Sequence, residues 1–131
     1  MDDLLTKDQA KAQLRLDGDA DDPWLDIWIP AISDAVRDWL KDRWRCYELE
    51  RDADGNAVLG ENGEPIIKLD DDGAPIVLKR VQGAALVELS SQYRFREGEG
   101  DNEVPASAGH GYTLCKGATA VLSTLRRPTV A

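Results

Sequence analysis

Residues 4–45 read LLTKDQAKAQLRLDGDADDPWLDIWIPAISDAVRDWLKDRWR, and this stretch decides the fold. It predicts a short helix, an acidic turn and then a long amphipathic helix. Thr6 and Gln9 have the capping-box spacing, in which each side chain satisfies a free backbone N–H at the helix start. We expect the first helix to begin at Thr6 and to end near Leu16.

The second helix is predicted to begin at Asp21 or Asp22, because an acidic cap followed by Pro23 suits a helix N-terminus. Its apolar residues recur at helical spacing. They are Trp24, Leu25, Trp28, Ile29, Ile32, Ala35, Val36 and Trp39. Pro30 interrupts this pattern and predicts a kink in one helix rather than two helices. We expect the helix to fade over residues 41–45.

Residues 46–74 contain three acidic turns, each with a central glycine. The turns read DADGNAV from Asp52, ENGEPI from Glu61 and DDDGAPI from Asp70. Short β-prone runs lie between them, so we predict a β-hairpin or small meander that projects from a helical body. This insertion has too few apolar residues to form a core of its own.

Two further helices are predicted in the second half, over about residues 76–94 and from Thr113 or Leu114 to Arg126. Gly83 predicts a close helix contact, because glycine is otherwise unfavourable inside a helix. The predicted fold class is mainly α: a small bundle of about four helices with a β-hairpin or meander inserted between helices 2 and 3. We expect residues 1–131 to form a single domain.

The formal net charge is −9, which argues against binding to nucleic-acid phosphates. The last acidic residue is Glu103, whereas Arg126 and Arg127 lie near the C-terminus. This asymmetry predicts that opposite ends meet, either between subunits or with a partner. The acidic start lacks the basic region of a signal peptide, and no apolar run is long enough to span a bilayer. We therefore expect a cytoplasm-like setting.

A calcium site is one interpretation of the acidic turns. Asp52, Asp54 and Asn56 have the first spacings of an EF-hand loop, but Ala57 replaces its glycine and Gly63 replaces its closing glutamate. Solvated turns are the better interpretation. The other candidate chemistry is equally incomplete, and we expect neither a metal nor a cofactor.

Cys46 and Cys115 are too few for a disulfide framework, so we expect reduced, partly buried thiols. Cys115 and His110 could be imagined as a nucleophile and its base, but the pattern supplies no third group and no oxyanion hole. The sequence therefore does not predict an enzyme.

Four tryptophans are many for a chain of this size: Trp24, Trp28, Trp39 and Trp44. Core packing explains some of them. Others could fill a subunit interface, where tryptophan is favoured. The pattern leaves both roles open.

Four segments, in their order along the chain, resemble the tailed-phage head–tail connector (adaptor) family. They are LTKDQAKAQLRLD at residues 5–17, the acidic pair Asp21-Asp22 with the helix of residues 29–45, the segment of residues 84–97, and residues 114–128 with Leu122, Leu125, Arg126, Arg127 and Pro128. The motifs are helical patterns without a chemical fingerprint. The insertion of residues 46–74 is longer than the resemblance leads us to expect.

The resemblance implies a structural virion protein in the phage neck, assembled in the host cytoplasm. Such subunits form a ring, commonly of about twelve copies, that binds the portal protein and then a neck, stopper or tail-completion protein. DNA passes through the lumen without specific binding. Arg126, Arg127 and Pro128 become candidates for a hook on the portal or on a neighbouring subunit. The alternative is a monomeric acidic binding module, such as a DNA-mimic inhibitor.

Overall fold

The structure of the protein, a computed structural model, describes residues 3–94 and 114–125. Its elements are α1 (Lys7–Leu14), α2 (Asp22–Leu40), a 3-10 helix (Arg43–Cys46), α3 (Lys79–Arg94) and α4 (Lys116–Leu122). The prediction of a mainly helical fold is confirmed, with four α-helices in the described part. Among these helices, none combines the length and the apolar character that crossing a bilayer requires.

Helix α1 begins with the predicted capping box. The Thr6 hydroxyl accepts from the Gln9 N–H at 3.1 Å, and the Gln9 side-chain oxygen accepts from the Thr6 N–H at 2.9 Å. The helix ends at Leu14 rather than near Leu16. It stops there because Arg15 adopts a left-handed conformation with φ of 57°, which turns the chain away from the helix axis.

Helix α2 runs unbroken for 19 residues with Pro30 inside it. The Ser33 hydroxyl donates to the Ile29 carbonyl at 2.8 Å and accepts from the Leu4 N–H at 2.9 Å. Both bonds are buried, so they hold the N-terminal segment against the middle of α2. The segment before α1 therefore belongs to the core.

The core lies where α3 packs against α2 and α4. Its fully buried apolar residues include Leu25, Ile32, Val36, Leu40, Val81, Ala84, Ala85, Leu89, Ala118 and Leu122. Leu25, Ile32 and Val36 belong to the apolar set that helical spacing predicted for the second helix. The close helix contact predicted at Gly83 is wrong, since open space surrounds that residue. The close approach is at Gly117 of α4, where an added Cβ would lie 3.0 Å from Val87 of α3.

The predicted insertion contains no strand among the described residues, so the β-hairpin or meander is not supported. Residues 47–77 form isolated antiparallel bridges instead. The paired residues are Tyr47 with Val77, Leu49 with Ile67, Arg51 with Ala57, Leu59 with Pro65, and Leu69 with Pro75. We call residues 46–78 the arm.

The backbone explains why no bridge extends into a ladder. The Glu50 N–H donates to the Ile66 carbonyl, the Ile66 N–H to the Val58 carbonyl, and the Val58 N–H to the Glu50 carbonyl, each at 2.9 Å. Three chain segments thus meet in a closed ring of hydrogen bonds. Each segment leaves the ring after a single pair, because its hydrogen-bonding groups are shared between two neighbours rather than one.

A second ring of the same kind lies closer to the body. It joins Glu48 to Ile76 at 2.8 Å, Ile76 to Lys68 at 3.4 Å, and Lys68 to Glu48 at 2.8 Å. The arm is therefore a branched structure with a stem and three short turns. The stem also shortens helix 3, which begins at Lys79 rather than Ile76 because residues 76–78 pair with residues 46–48.

The acidic turns owe their composition to local geometry. The Asp52 carboxylate accepts from the backbone N–H groups of Asp54 and Asn56 at 3.0 and 2.9 Å, which replaces backbone partners that the turn cannot supply. The Asp70 carboxylate does the same in the third turn. A left-handed glycine, with φ between 79° and 84°, completes each turn at Gly55, Gly63 and Gly73.

Helix α4 is shorter than the predicted span from Thr113 or Leu114 to Arg126. It covers seven residues, and residues 123–125 form a turn. Leu114 is nevertheless buried, so it contributes to the core before the helix begins.

Candidate functional site

The base of the arm is anchored in the body through Tyr47. Its ring is buried, and its hydroxyl accepts from Arg37 Nη2 at 3.3 Å. The Arg43 guanidinium lies 4.9 Å from the ring centroid, which adds a cation–π contact. Cys46 beside it is also buried, and burial raises the pKa of its thiol to about 11. The arm is thus fixed to the body by two buried residues.

One face of the arm is apolar almost throughout. Residues directly opposite in an antiparallel pair point to the same face, and alternate residues along an extended segment share that face. The face so defined holds Tyr47, Leu49, Arg51, Ala57, Leu59, Pro65, Ile67, Leu69, Pro75 and Val77. Ile67 and Val77 pack against the core, whereas Leu59 is 59% exposed and Leu69 is 52% exposed. No part of residues 3–94 and 114–125 therefore covers the outer half of the face.

The arm also concentrates the exposed apolar side chains of the protein. Seven large hydrophobic residues are exposed in the described part of the chain, and four of them lie on the arm: Val58, Leu59, Ile66 and Leu69. Ile27, Val87 and Val121 are scattered over the helices. By the alternation above, Leu59 and Leu69 lie on the apolar face and Val58 and Ile66 on the opposite one. Apolar exposure concentrated on a projecting element is typical of an interaction surface, whereas single exposed side chains are ordinary.

The arm carries most of the negative charge as well. Residues 46–78 contain nine acidic side chains against Arg51 and Lys68, so their formal charge is −7 out of −9 for the chain. Basic residues flank the base of the arm. We call Lys41, Arg43, Arg45, Lys79 and Arg80 the basic collar. Charge is thus separated between the arm and the end of the body that holds it.

A groove of about 550 Å³ lies in the angle between the arm and the body. We call it the elbow groove. Its apolar lining comes from Trp44, Leu49, Leu78 and Leu125, and its polar lining includes Arg45, Glu48, Glu50, Arg51, Lys68 and Thr124. Cations outnumber carboxylates in this lining by three to two. The groove therefore combines an apolar floor with a weakly basic wall.

Two residues of the basic collar make the contacts that shape the body side of the groove. Arg45 stacks 4.5 Å from the Trp44 ring centroid and donates from Nη1 to the Leu125 carbonyl at 2.9 Å. Arg80 donates from Nη1 to the Thr124 hydroxyl at 2.6 Å. These bonds join the 3-10 helix and α3 to the end of α4. The groove shape is thus set by side chains that already have partners.

The four tryptophans divide between the core edge and the groove. Trp24 stacks on Trp28 with centroids 5.7 Å apart and meets Tyr93 edge-on at 5.2 Å. Trp39 packs against the core and is half-buried. Trp44 alone of the four lines the elbow groove. Their role as interface residues stays a prediction, and Trp44 has the position that suits it best.

The predicted hook residues Arg126, Arg127 and Pro128 lie outside the described residues, as does His110. The chain reaches them directly after Leu125, which lines the elbow groove. The predicted hook therefore stays untested, as does the arrangement of His110 and Cys115, which the sequence did not favour as a catalytic pair.

No group of three or more histidine, cysteine or acidic residues is placed to hold a metal ion within residues 3–94 and 114–125. The EF-hand-like Asp52 instead uses its carboxylate within its own turn. Both cysteines are free. Burial and the neighbouring Glu88 carboxylate raise the pKa of the Cys115 thiol, so it stays protonated near neutral pH.

No protein-family model matches the chain, and neither curated proteins nor solved structures gave a significant match. The function is therefore inferred from the residues of this chain. Sequence analysis did not identify the elbow groove or the apolar arm face. The sequence signal for the face was weak, since residues 65–67 and 75–78 are continuous apolar runs that do not show which side chains share a face.

Proposed function

We propose that this chain is a structural subunit of a homo-oligomeric ring, the head–tail connector (adaptor) that joins a phage portal to the neck and tail. The observation that carries the proposal is the arm: an anchored, projecting element whose apolar outer face no part of the described chain covers. A monomer gains nothing from holding leucines in water. A subunit of an assembly gains contact area when a neighbour covers them.

The charge of the chain suits a DNA conduit. Many copies of an acidic subunit around one axis produce a strongly negative ring, and carboxylates at the lumen repel DNA phosphates. DNA can then pass without being held. The order of helical segments that resembles the adaptor family supports the same role, with about twelve copies in the ring.

The remaining partners follow from the same resemblance. The portal protein would bind one side of the ring, and a neck, stopper or tail-completion protein would bind the other. Arg126, Arg127 and Pro128 are the proposed hook, because a basic segment complements an acidic surface. The proposed location is the neck of the virion, after assembly in the host cytoplasm. We propose no catalytic step and no cofactor.

A DNA-mimic inhibitor is the second candidate, and the nine acidic residues of the arm favour it. A mimic presents ordered charge to a nucleic-acid-binding protein. The apolar face of the same arm counts against it, since Leu59 and Leu69 have no counterpart in a phosphate backbone. The ring therefore accounts for more of the surface than the mimic does.

The test is to mix the full chain with the portal protein of the same genome at physiological salt. Electron microscopy and mass measurement of the product should show a ring of this chain on the portal. A chain that ignores the portal and binds a DNA-binding protein as a monomer would establish the mimic instead. A variant ending at Leu125 should remain folded and bind the portal more weakly. Undiminished binding by that variant would remove the hook assignment.

A further inference from the structure

We infer that the arm of one copy seats in the elbow groove of the next copy, so that the contact between neighbours joins two different surfaces. This inference rests on the proposed ring and names the surfaces that form it. The occupant of the groove is thus a second copy of the same chain. The knob is the outer arm around Leu59 and Leu69, and the socket is the groove floor at Trp44, Leu78 and Leu125.

The first argument is apolar complementarity. The outer arm face is a protruding apolar surface, and the groove floor is a concave one. Trp44 and Leu125 are only half-buried in the subunit. Covering both surfaces at once removes apolar area from water on each side of the contact. Trp44 also has the amphipathic character that interface anchors commonly show.

Charge complementarity is the second argument, and it favours a second copy over an unrelated partner. The arm has a formal charge of −7, and seven of its nine carboxylates lie in the three acidic turns. Two of the three cations that line the groove, Arg51 and Lys68, belong to the arm itself, and Arg45 is paired with Asp42 at 2.8 Å. The positive charge that the body offers a neighbouring arm therefore comes mainly from Lys79 and from Arg80, which contacts the groove residue Thr124. The acidic turns of one arm would therefore meet the collar of the next body. Such pairing fixes the orientation of a contact more than its strength.

Geometry is the third argument. Stem residues Tyr47, Glu48, Leu49 and Leu78 line one side of the groove. The lining extends along the arm as far as Arg51, whereas the outer residues Leu59 and Leu69 do not belong to it. A contact between two such different surfaces is heterologous, and its repetition about an axis closes a ring. The same repetition lays each arm beside the next.

A pair of variants measures the contribution of the arm. L59D/L69D puts two charges on the apolar face, and I27D puts one on α2, where Ile27 is 68% exposed. Self-association of the arm variant should weaken about a hundredfold, because two leucines lose their cover. The I27D variant should associate like the wild type. Equal association of the arm variant and the wild type would overturn the inference, with circular dichroism confirming that each variant is folded.

Photo-crosslinking locates the socket directly. The full chain carrying p-benzoylphenylalanine in place of Leu69 is mixed with the isotopically heavy wild-type chain, with portal present, and irradiated. Mixed light–heavy crosslinks from position 69 to residues 44–51, 78–80 or 124–125 would establish the contact. Rings that form but crosslink elsewhere would overturn this inference and leave the proposed function standing. Failure to form any ring or portal complex would overturn both.

Discussion

In the helical body, Ile32 and Leu89 are fully buried, whereas in the arm Leu59 and Leu69 keep more than half of their surface exposed. The body is organised by burial along helical faces. The arm is organised by two rings of backbone hydrogen bonds and three glycine turns, with apolar contact to the core only at its base. The body thus buries its own apolar side chains. The arm has a defined backbone conformation but leaves part of its apolar surface exposed among the described residues.

The residues of the two regions are constrained by different contacts. A core residue is constrained by its own subunit, so its identity reports on folding. An arm residue such as Leu69 is not needed by the described core, and the partner that we propose would account for its apolar character. The predictions below separate these two kinds of residue.

The largest effect is expected at Tyr47, which joins the two regions. Tyr47→Ala should lower the free energy of unfolding by about 4 kcal/mol, because it empties a buried aromatic site. Tyr47→Phe is the matched control and should cost about 1 kcal/mol, the value of its hydrogen bond from Arg37. Urea denaturation measures both. Equal costs for the two substitutions would show that the ring packing contributes little.

The second prediction contrasts one leucine from each region. Leu89→Ala should lower the free energy of unfolding by about 3 kcal/mol, whereas Leu69→Ala should change it by less than about 0.5 kcal/mol. Thermal and urea unfolding of the unassembled chain provide the comparison. A large loss of stability in Leu69→Ala would mean that the arm face is covered within the subunit, which contradicts the assembly account.

The third prediction concerns the turns of the arm. Gly73 has φ of +80°, so Gly73→Ala should cost about 1 kcal/mol even though open space surrounds it. The cost should be local. Hydrogen exchange at the Asp70 and Ile76 amides should accelerate about fivefold, while exchange at Leu89 stays unchanged. Gly18→Ala is the control, because Gly18 has open space and no positive φ. Faster exchange throughout the body would show that the two regions unfold together.

The smallest effect is expected at the surface pair that links α1 to α2. Lys11 Nζ lies 2.8 Å from Asp22 Oδ1, and this partner holds the pKa of Asp22 below its ordinary value of 3.8. A lowered carboxyl pKa stabilises the fold above the ordinary value, and the gain is lost as pH falls through the lowered one. In Lys11→Met, carbon NMR titration should show a higher Asp22 pKa. An unchanged Asp22 pKa would show that Lys11 does not stabilise the Asp22 carboxylate.

The helical body could be predicted from the sequence because its signals are local. Thr6 and Gln9 specify the start of α1 through their side-chain hydrogen bonds. The helical spacing of Ile32 and Val36 indicates a buried face of α2. The close packing at Gly117 could not be predicted, since it depends on where α4 meets Val87. Helical spacing alone does not say which glycine faces a neighbour.

The structure of the arm could be predicted from the sequence only in part. Its glycine turns were predicted, because each needs a left-handed residue that the sequence supplies. Its connectivity was not, because closed rings such as the one through Glu50, Val58 and Ile66 join three segments at once, which the turn residues alone do not specify. The same non-local folding creates the elbow groove, so that candidate site could not be read from the chain. Of the predicted interface residues that the structure describes, Trp44 alone lines it.

The most direct test of the central claim is hydrogen exchange of the arm in the free and assembled protein. We predict that the amides of residues 57–59 and 66–69 become more strongly protected when the chain assembles on the portal, while the already buried core of α3 changes little. Equal exchange of the arm in both states would contradict it, because the apolar face would then remain uncovered in the assembly.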